Sequence, residues 1–116
     1  MSTLKIYHNP RCSKSRATLQ LLRDRGLEPE VIEYLETPPS AEELERLLTM
    51  LAMEPRDLAR KKESAYAEAG IGDADLGRRQ IVEKMVANPI VIERPIVVSG
   101  SKAALGRPPE AVLDIL

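Results

Sequence analysis

A strand, a helix and a second strand follow one another at the start of the chain, and this pattern restricts the fold most. Residues 4–7 form a short apolar stretch, and residues 13–25 carry apolar side chains at helical spacing. Gly26 marks the end of that helix, and residues 31–35 form a second apolar stretch. A connection of this length between two strands predicts a parallel pair joined by a right-handed crossover.

A block of helices follows the second strand. Residues 40–88 contain four segments with helical signals and no candidate strand. Ser40 and Glu43 match a capping box at the start of the first segment. Pro55 fits the first turn of the second segment, and Gly70 ends the third. We therefore expect a helical insertion at about residues 40–88.

Sheet character returns after the insertion. Residues 90–92 are apolar and β-branched, whereas residues 96–98 and 103–105 flank a Ser-Gly-Ser turn, which predicts an antiparallel hairpin. Residues 109–116 have the pattern of a final helix. The order of elements predicts an α/β fold with a small mixed sheet, in a single domain that spans residues 1–116.

The composition excludes several classes of function. The net charge of −1 and the pI near 5.9 give no basic surface for nucleic acid or for an anionic membrane. The apolar stretches are too short to span a bilayer, and no signal-peptide pattern opens the sequence. A single cysteine is typical of a reducing compartment, so we expect a cytoplasmic protein.

Cys12 is the only cysteine, and it lies where the first strand gives way to the helix. The positive end of a helix dipole favours a thiolate there. With Ser15 it forms C-x-x-S, a one-thiol version of the C-x-x-C redox arrangement, and Arg11, Lys14 and Arg16 add positive charge. The alternative is a buried cysteine that acts as a small apolar residue. A lone thiol forms no internal disulfide, so any redox cycle needs an external thiol.

His8 is the only histidine and precedes Cys12 by four residues. It either lies near the sulfur and favours the thiolate when protonated, or is a loop histidine bonded to the backbone. One histidine and one cysteine leave no tetrahedral ligand set, so we expect no metal site.

Three arginines are candidates for anion binding. Arg94 and Arg107 each directly precede a proline at a junction between predicted elements, and Arg60 lies beside two lysines at the end of a helical segment. The usual role of any one arginine is a solvated surface charge. If several converge on Cys12, they form a site for a tetrahedral oxyanion, because guanidinium groups pair bidentately with such oxygens.

Six separate blocks of the sequence, in the same order, resemble the glutaredoxin-coupled arsenate reductases. They are residues 7–10, Cys12 with Ser15 and Arg16, residues 34–39, residues 58–61, residues 94–98 and residues 106–109. The resemblance extends over essentially the whole chain and is strongest to a short arsenate-reductase-like subgroup. It implies a thioredoxin-like fold with a small mixed four-stranded sheet and a cis-proline at Pro95.

The resemblance also implies roles for the candidate residues. Cys12 would be the nucleophile that attacks arsenate, Ser15 would hydrogen-bond its sulfur, and His8 would help to keep it ionised. The oxyanion and its thiol adduct would be bound by Arg60, Arg94 and Arg107. Glutathione would be a co-substrate and glutaredoxin a protein partner, and no cofactor would be bound.

Two other functions stay open. A glutathione-linked thiol oxidoreductase that acts on another substrate would use the same sulfur. A non-enzymatic redox regulator on the same fold would bind RNA polymerase, but such proteins typically carry C-x-x-C, and Ser15 replaces the second cysteine.

Overall fold

The computed structural model describes residues 4–116 and divides into two compact units. The first unit comprises the chain up to Thr37 together with Arg94–Leu116, and the second comprises Pro38–Glu93. The predicted helical block lies within the second unit. Among the residues described, no helix is both long enough and apolar enough to cross a membrane.

The first unit is built around a sheet of four strands with the order β2-β1-β3-β4. Strand β1 pairs in parallel with β2, whereas β3 pairs antiparallel with both β1 and β4, so the sheet is mixed, as predicted. Its elements are β1 (Leu4–His8), α1 (Ser13–Asp24), β2 (Glu30–Glu33), β3 (Ile96–Ser99), β4 (Lys102–Leu105) and a 3₁₀ helix (Pro109–Ile115).

The core of the first unit holds α1 against the sheet. Ile6 of β1 and Val97 of β3 are paired across the ladder, and Leu19 and Leu22 lie three residues apart on α1. Together with Val112 from the last helix, they form one buried cluster. Burial of each such aliphatic side chain contributes about 1.5–3 kcal/mol. This packing fixes where α1 begins, at the end of β1.

The second unit is helical. It contains α2 (Ala41–Leu51), a 3₁₀ helix (Pro55–Leu58), α3 (Ser64–Glu68), α4 (Arg78–Ala87) and a second 3₁₀ helix (Pro89–Val91). Ser40 Oγ accepts a hydrogen bond from the Glu43 N–H at 3.1 Å, which caps α2 as the sequence predicted. Leu44, Leu47 and Leu48 line the buried face of α2, which packs on α4.

The structure differs from the sequence prediction in three places. Residues 90–92 do not extend the sheet: Pro89 begins a 3₁₀ helix, because proline fixes φ and lacks an N–H donor, and Ile92 makes only an isolated bridge to Ala59. The second strand ends at Glu33, and the final helix is 3₁₀ throughout.

Two X-Pro peptide bonds are cis in this fold. The bond between Arg94 and Pro95 is cis, which confirms the expectation from the family resemblance. The bond between Arg107 and Pro108 is also cis, and it was not predicted. Both prolines directly follow an arginine that was a candidate for anion binding.

Candidate active site

A tight turn between β1 and α1 places Cys12 at the start of the helix. Cys12 is the N-cap residue, and its N–H donates to the Asn9 C=O at 3.0 Å. The Cys12 C=O accepts from the Arg16 N–H at 3.0 Å, which begins the helix. Asn9 Oδ1 also accepts from the Arg11 N–H at 3.0 Å. Asn9 was not a candidate residue, although asparagine before proline is a common turn signal.

The surroundings of Cys12 favour its thiolate. Burial alone raises the pKa of the thiol, but hydrogen bonds from the backbone N–H groups of Ser15 and Lys14 and the charges of Arg94 and Arg107 outweigh it. The pKa of Cys12 is therefore below its usual value. Cys12 is partly exposed rather than fully buried, and a lowered thiol pKa in these surroundings fits the reactive interpretation better than that of an inert apolar cysteine.

Arg94 and Arg107 converge on this sulfur. Nη1 of Arg107 lies 3.9 Å from Cys12 Sγ and donates to the Arg94 C=O at 3.1 Å. Arg94 is 5% exposed, and its charge also favours the thiolate. Arg94 lies just before β3, and Arg107 lies just after β4. The two residues meet because β3 and β4 form an antiparallel hairpin, so the chain returns to the end of the sheet at which β3 begins.

His8 and Ser15 form a buried pair next to the turn. His8 Nδ1 lies 2.5 Å from Ser15 Oγ, and the Asn9 N–H donates to the same oxygen at 3.0 Å. The arrangement is satisfied when the Ser15 hydroxyl donates to a neutral histidine. The hydroxyl is thus bonded to His8 and Asn9, and Ser15 reaches the Cys12 sulfur through its backbone N–H instead.

The surroundings of His8 favour its neutral form. Burial lowers the pKa of His8, the carboxylate of Glu33 partly opposes this, and the charges of Arg23 and Arg16 lower it further. His8 is therefore mostly neutral near pH 7, and its hydrogen bond goes to a side chain rather than to the backbone. Its role in keeping the Cys12 thiol ionised stays a prediction.

Arg60 lies in the second unit. Its Nε is 3.6 Å from Glu63 Oε2, and its Nη1 is 3.7 Å from Glu93 Oε1. It lines a cavity of about 410 Å³, which is also bordered by Arg56, Lys61 and Lys62. The cluster is basic, and the role of Arg60 as an arsenate ligand stays a prediction.

The groups around the Cys12 sulfur in the first unit are suited to one kind of chemistry. A thiolate that is flanked by two guanidinium groups and by backbone N–H donors is suited to bind a tetrahedral oxyanion and to attack its central atom. Within residues 4–116, no group of three or more His, Cys, Asp or Glu side chains is placed to hold a metal ion.

The protein has a thioredoxin-like fold, and a model of the ArsC family matches residues 7–115. The chain belongs to that family. It is 54% identical over 114 residues to an Escherichia coli K12 protein called uncharacterized protein YfgD, covering 97% of this chain and 96% of the relative.

Relatives that carry the name arsenate reductase match over the whole chain. One from Escherichia coli is 47% identical over 116 residues, which cover 100% of this chain and 82% of the relative. The solved structure of an arsenate reductase from Vibrio cholerae is 51% identical and superposes with a TM-score of 0.95, covering 98% of each chain.

Proposed function

We propose that this protein reduces arsenate to arsenite, with Cys12 as the nucleophile. The observation that carries the proposal is the thiol of the partly exposed residue Cys12: its pKa is lowered, and its Sγ lies 3.9 Å from Nη1 of Arg107. Full-length relatives that are 43–47% identical and carry the name arsenate reductase support the choice of substrate.

Binding of the substrate uses charge that is already in place. Arsenate would dock at the start of α1, where backbone N–H groups point outward and Arg94 and Arg107 supply positive charge. Arg60 would contribute a third guanidinium. Because Arg94 and Arg107 already lie near the Cys12 sulfur, little reorganisation of these two groups would be needed when charge builds up on the arsenate oxygens.

The chemistry proceeds in two stages. The Cys12 thiolate attacks arsenic and forms an S–As bond, and one arsenate oxygen leaves as water after taking up a proton. Glutathione then displaces a second oxygen of this adduct, which leaves as water, and forms a second S–As bond. A glutaredoxin thiol attacks the glutathione sulfur, and arsenic(V) accepts two electrons and becomes arsenic(III). Water then displaces the Cys12 sulfur from arsenic(III). The products are arsenite, the free Cys12 thiolate and a mixed disulfide between glutathione and glutaredoxin, so the two external thiols supply both electrons.

The composition of the chain requires such an external relay. With Cys12 as its only cysteine, the protein holds no second thiol that could resolve an adduct or a mixed disulfide. Glutathione and glutaredoxin are thiol donors of the kind found in a reducing cytosol, where we place this reaction.

Arsenite release tests this function directly. Purified protein with arsenate, glutathione and glutaredoxin should release arsenite, and Cys12→Ser should release none because the nucleophile is gone. A folded wild-type protein that alkylates at Cys12 yet releases no arsenite would remove the proposal.

Protection of the thiol separates the leading function from its alternative. Arsenate should slow the alkylation of Cys12 in a concentration-dependent way, since the anion and the alkylating reagent compete for the same place. Alkylation that is unaffected by arsenate but sensitive to glutathione would favour the glutathione-linked thiol oxidoreductase that acts on another substrate.

A further inference from the structure

Gly106 lies at a close approach between α1 and the segment that carries Arg107. Its N–H donates to the Pro95 C=O at 2.9 Å, which joins the segments of Arg94 and Arg107. A Cβ at this position would lie 2.5 Å from Thr18 Oγ1 and 2.7 Å from Pro95 Cγ. Contacts this short are essentially never made by real Cβ atoms, so a larger residue would force the two segments apart.

Thr18, on the other side of this contact, has little freedom to move away. It is fully buried on α1, its β-branched side chain has restricted χ1, and its Oγ1 donates to the Lys14 C=O at 2.8 Å. Lys14 lies in the first turn of the same helix, and its backbone N–H is one of the donors to the Cys12 sulfur. The surface that Gly106 touches is therefore part of the element that holds the thiol.

We propose that Gly106 is a positioning residue for the site: its lack of a side chain lets the backbone before Arg107 lie directly against Thr18, and this packing sets the position from which Arg107 reaches Cys12 Sγ. Nη1 of Arg107 lies 3.1 Å from the Arg94 C=O oxygen and 3.9 Å from Cys12 Sγ. A displacement of the Gly106 backbone therefore alters both contacts. The position of Arg107 does not depend on the proposed function, whereas any effect of Gly106 on arsenate binding rests on it.

The alkylation rate of Cys12 across pH tests this position without any substrate. Gly106→Ala should slow alkylation at pH 7 by roughly three- to tenfold, because a hydrogen bond from a charged donor to the thiolate is weakened. Gly77→Ala is the matched control: Gly77 has φ −77°, a Cβ there would meet only Gln80 Oε1 at 3.6 Å, and the rate should not change. A folded Gly106→Ala protein with the wild-type rate profile would overturn the proposal.

A double-mutant cycle separates positioning from general damage. If Gly106 acts through Arg107, the pair Gly106→Ala with Arg107→Ala should alkylate as slowly as Arg107→Ala alone. If the two effects multiply instead, Gly106 acts on the thiol by another route and the proposal is wrong. Arsenite release plays no part in this readout, so a failure of the proposed function leaves the result interpretable.

A second variant decides the question if Gly106→Ala does not fold. Thr18→Ala removes the side-chain atoms against which the Gly106 backbone packs, and it should slow the alkylation of Cys12, as Gly106→Ala does. Thr49→Ala is its control, because Thr49 Oγ1 makes the same bond to a carbonyl four residues earlier, that of Glu45 at 3.0 Å, on α2 of the second unit. A Thr18→Ala protein with the wild-type rate profile would overturn the proposal.

Discussion

Burial and charge act on the Cys12 thiol in opposite directions. Partial burial favours the neutral thiol, whereas two backbone N–H groups and the charges of Arg94 and Arg107 favour the thiolate, and these outweigh burial. The two arginines make some of their contacts within the same unit, so they are held near the sulfur before any substrate binds. We therefore expect the groups that stabilise the thiolate also to stabilise an oxyanion, as the proposed function requires.

The first prediction concerns Arg107. Arg107→Ala should raise the pKa of Cys12 and slow its alkylation at pH 7 by roughly three- to tenfold, because a charged donor to the sulfur is lost. The alkylation rate should rise with pH in both proteins, but in the variant the rise should occur at higher pH. Stopped-flow alkylation between pH 5 and about pH 10 measures both effects.

Arg25→Ala is the control for this change. Arg25 is exposed at the C-terminal end of α1, where its charge lies far along the helix from Cys12. Its removal should leave the rate profile as in the wild type. Equal shifts in the two variants would mean that net charge, and not the contact at 3.9 Å, controls the thiol.

The second prediction concerns the neutral His8. Because burial lowers its pKa in the folded protein from 6.5, the unfolded chain binds this proton more readily. The stability that His8 contributes is therefore complete above about pH 6.5 and is lost as the pH falls through the folded pKa. Urea unfolding of the wild type and of His8→Asn, which retains a polar atom near Nδ1, should show the steeper acid loss in the wild type. Identical pH dependence in the two proteins would contradict a neutral, buried His8.

Only part of the site was predictable from the order of residues. Cys12 stood out because a thiol at a strand-to-helix junction has a known electrostatic effect, and Arg94 and Arg107 because each adjoins a proline. The packing of Gly106 and the bond between His8 and Ser15 were not predicted, since both depend on segments that meet only in the folded chain. Local pattern identifies groups with the right chemistry, whereas tertiary packing decides what each one touches.

Elements that have both a periodic apolar pattern and a turn residue at their end were predicted well. The helix expected over residues 13–25 is α1 (Ser13–Asp24), and the hairpin around the Ser-Gly-Ser turn has the expected antiparallel pairing. The β-branched composition of residues 90–92 predicts a strand, but the preceding Pro89 favours a turn and begins a 3₁₀ helix. The boundaries of short elements follow such single residues more than they follow average propensity.

The third prediction concerns the cap of α2. Ser40→Ala should lower the free energy of unfolding by about 1 kcal/mol, because the Glu43 N–H loses the oxygen that accepts its hydrogen bond. Urea denaturation followed by circular dichroism measures the change. Ser64→Ala is the control: Ser64 is the first residue of α3, whose start has no side-chain cap bond, so its loss should cost little. Equal losses in both variants would mean that the Ser40 bond does not stabilise α2.

At the scale of the whole molecule, the residues around Cys12 and most of the helices belong to different compact units. Every group that lowers the pKa of Cys12 belongs to the first unit, whereas Pro38–Glu93 form a second unit with its own buried leucines. The sequence predicted the helical block from its lack of strand candidates, but it could not show which residues make up each compact unit. That division follows from contacts between distant parts of the chain, which periodicity does not record.

The last prediction uses this division. Leu48 is fully buried on α2 in the second unit, so Leu48→Ala should lower the free energy of unfolding by about 2–5 kcal/mol through lost burial and the cavity left behind. The pH profile of Cys12 alkylation in the folded variant should nevertheless match that of the wild type, because its determinants lie in the first unit. Denaturation and alkylation are measured on the same preparation below the unfolding transition. A shifted profile in a fully folded variant would show that the second unit contributes to the thiolate environment, and Arg60 would then be the first residue to replace.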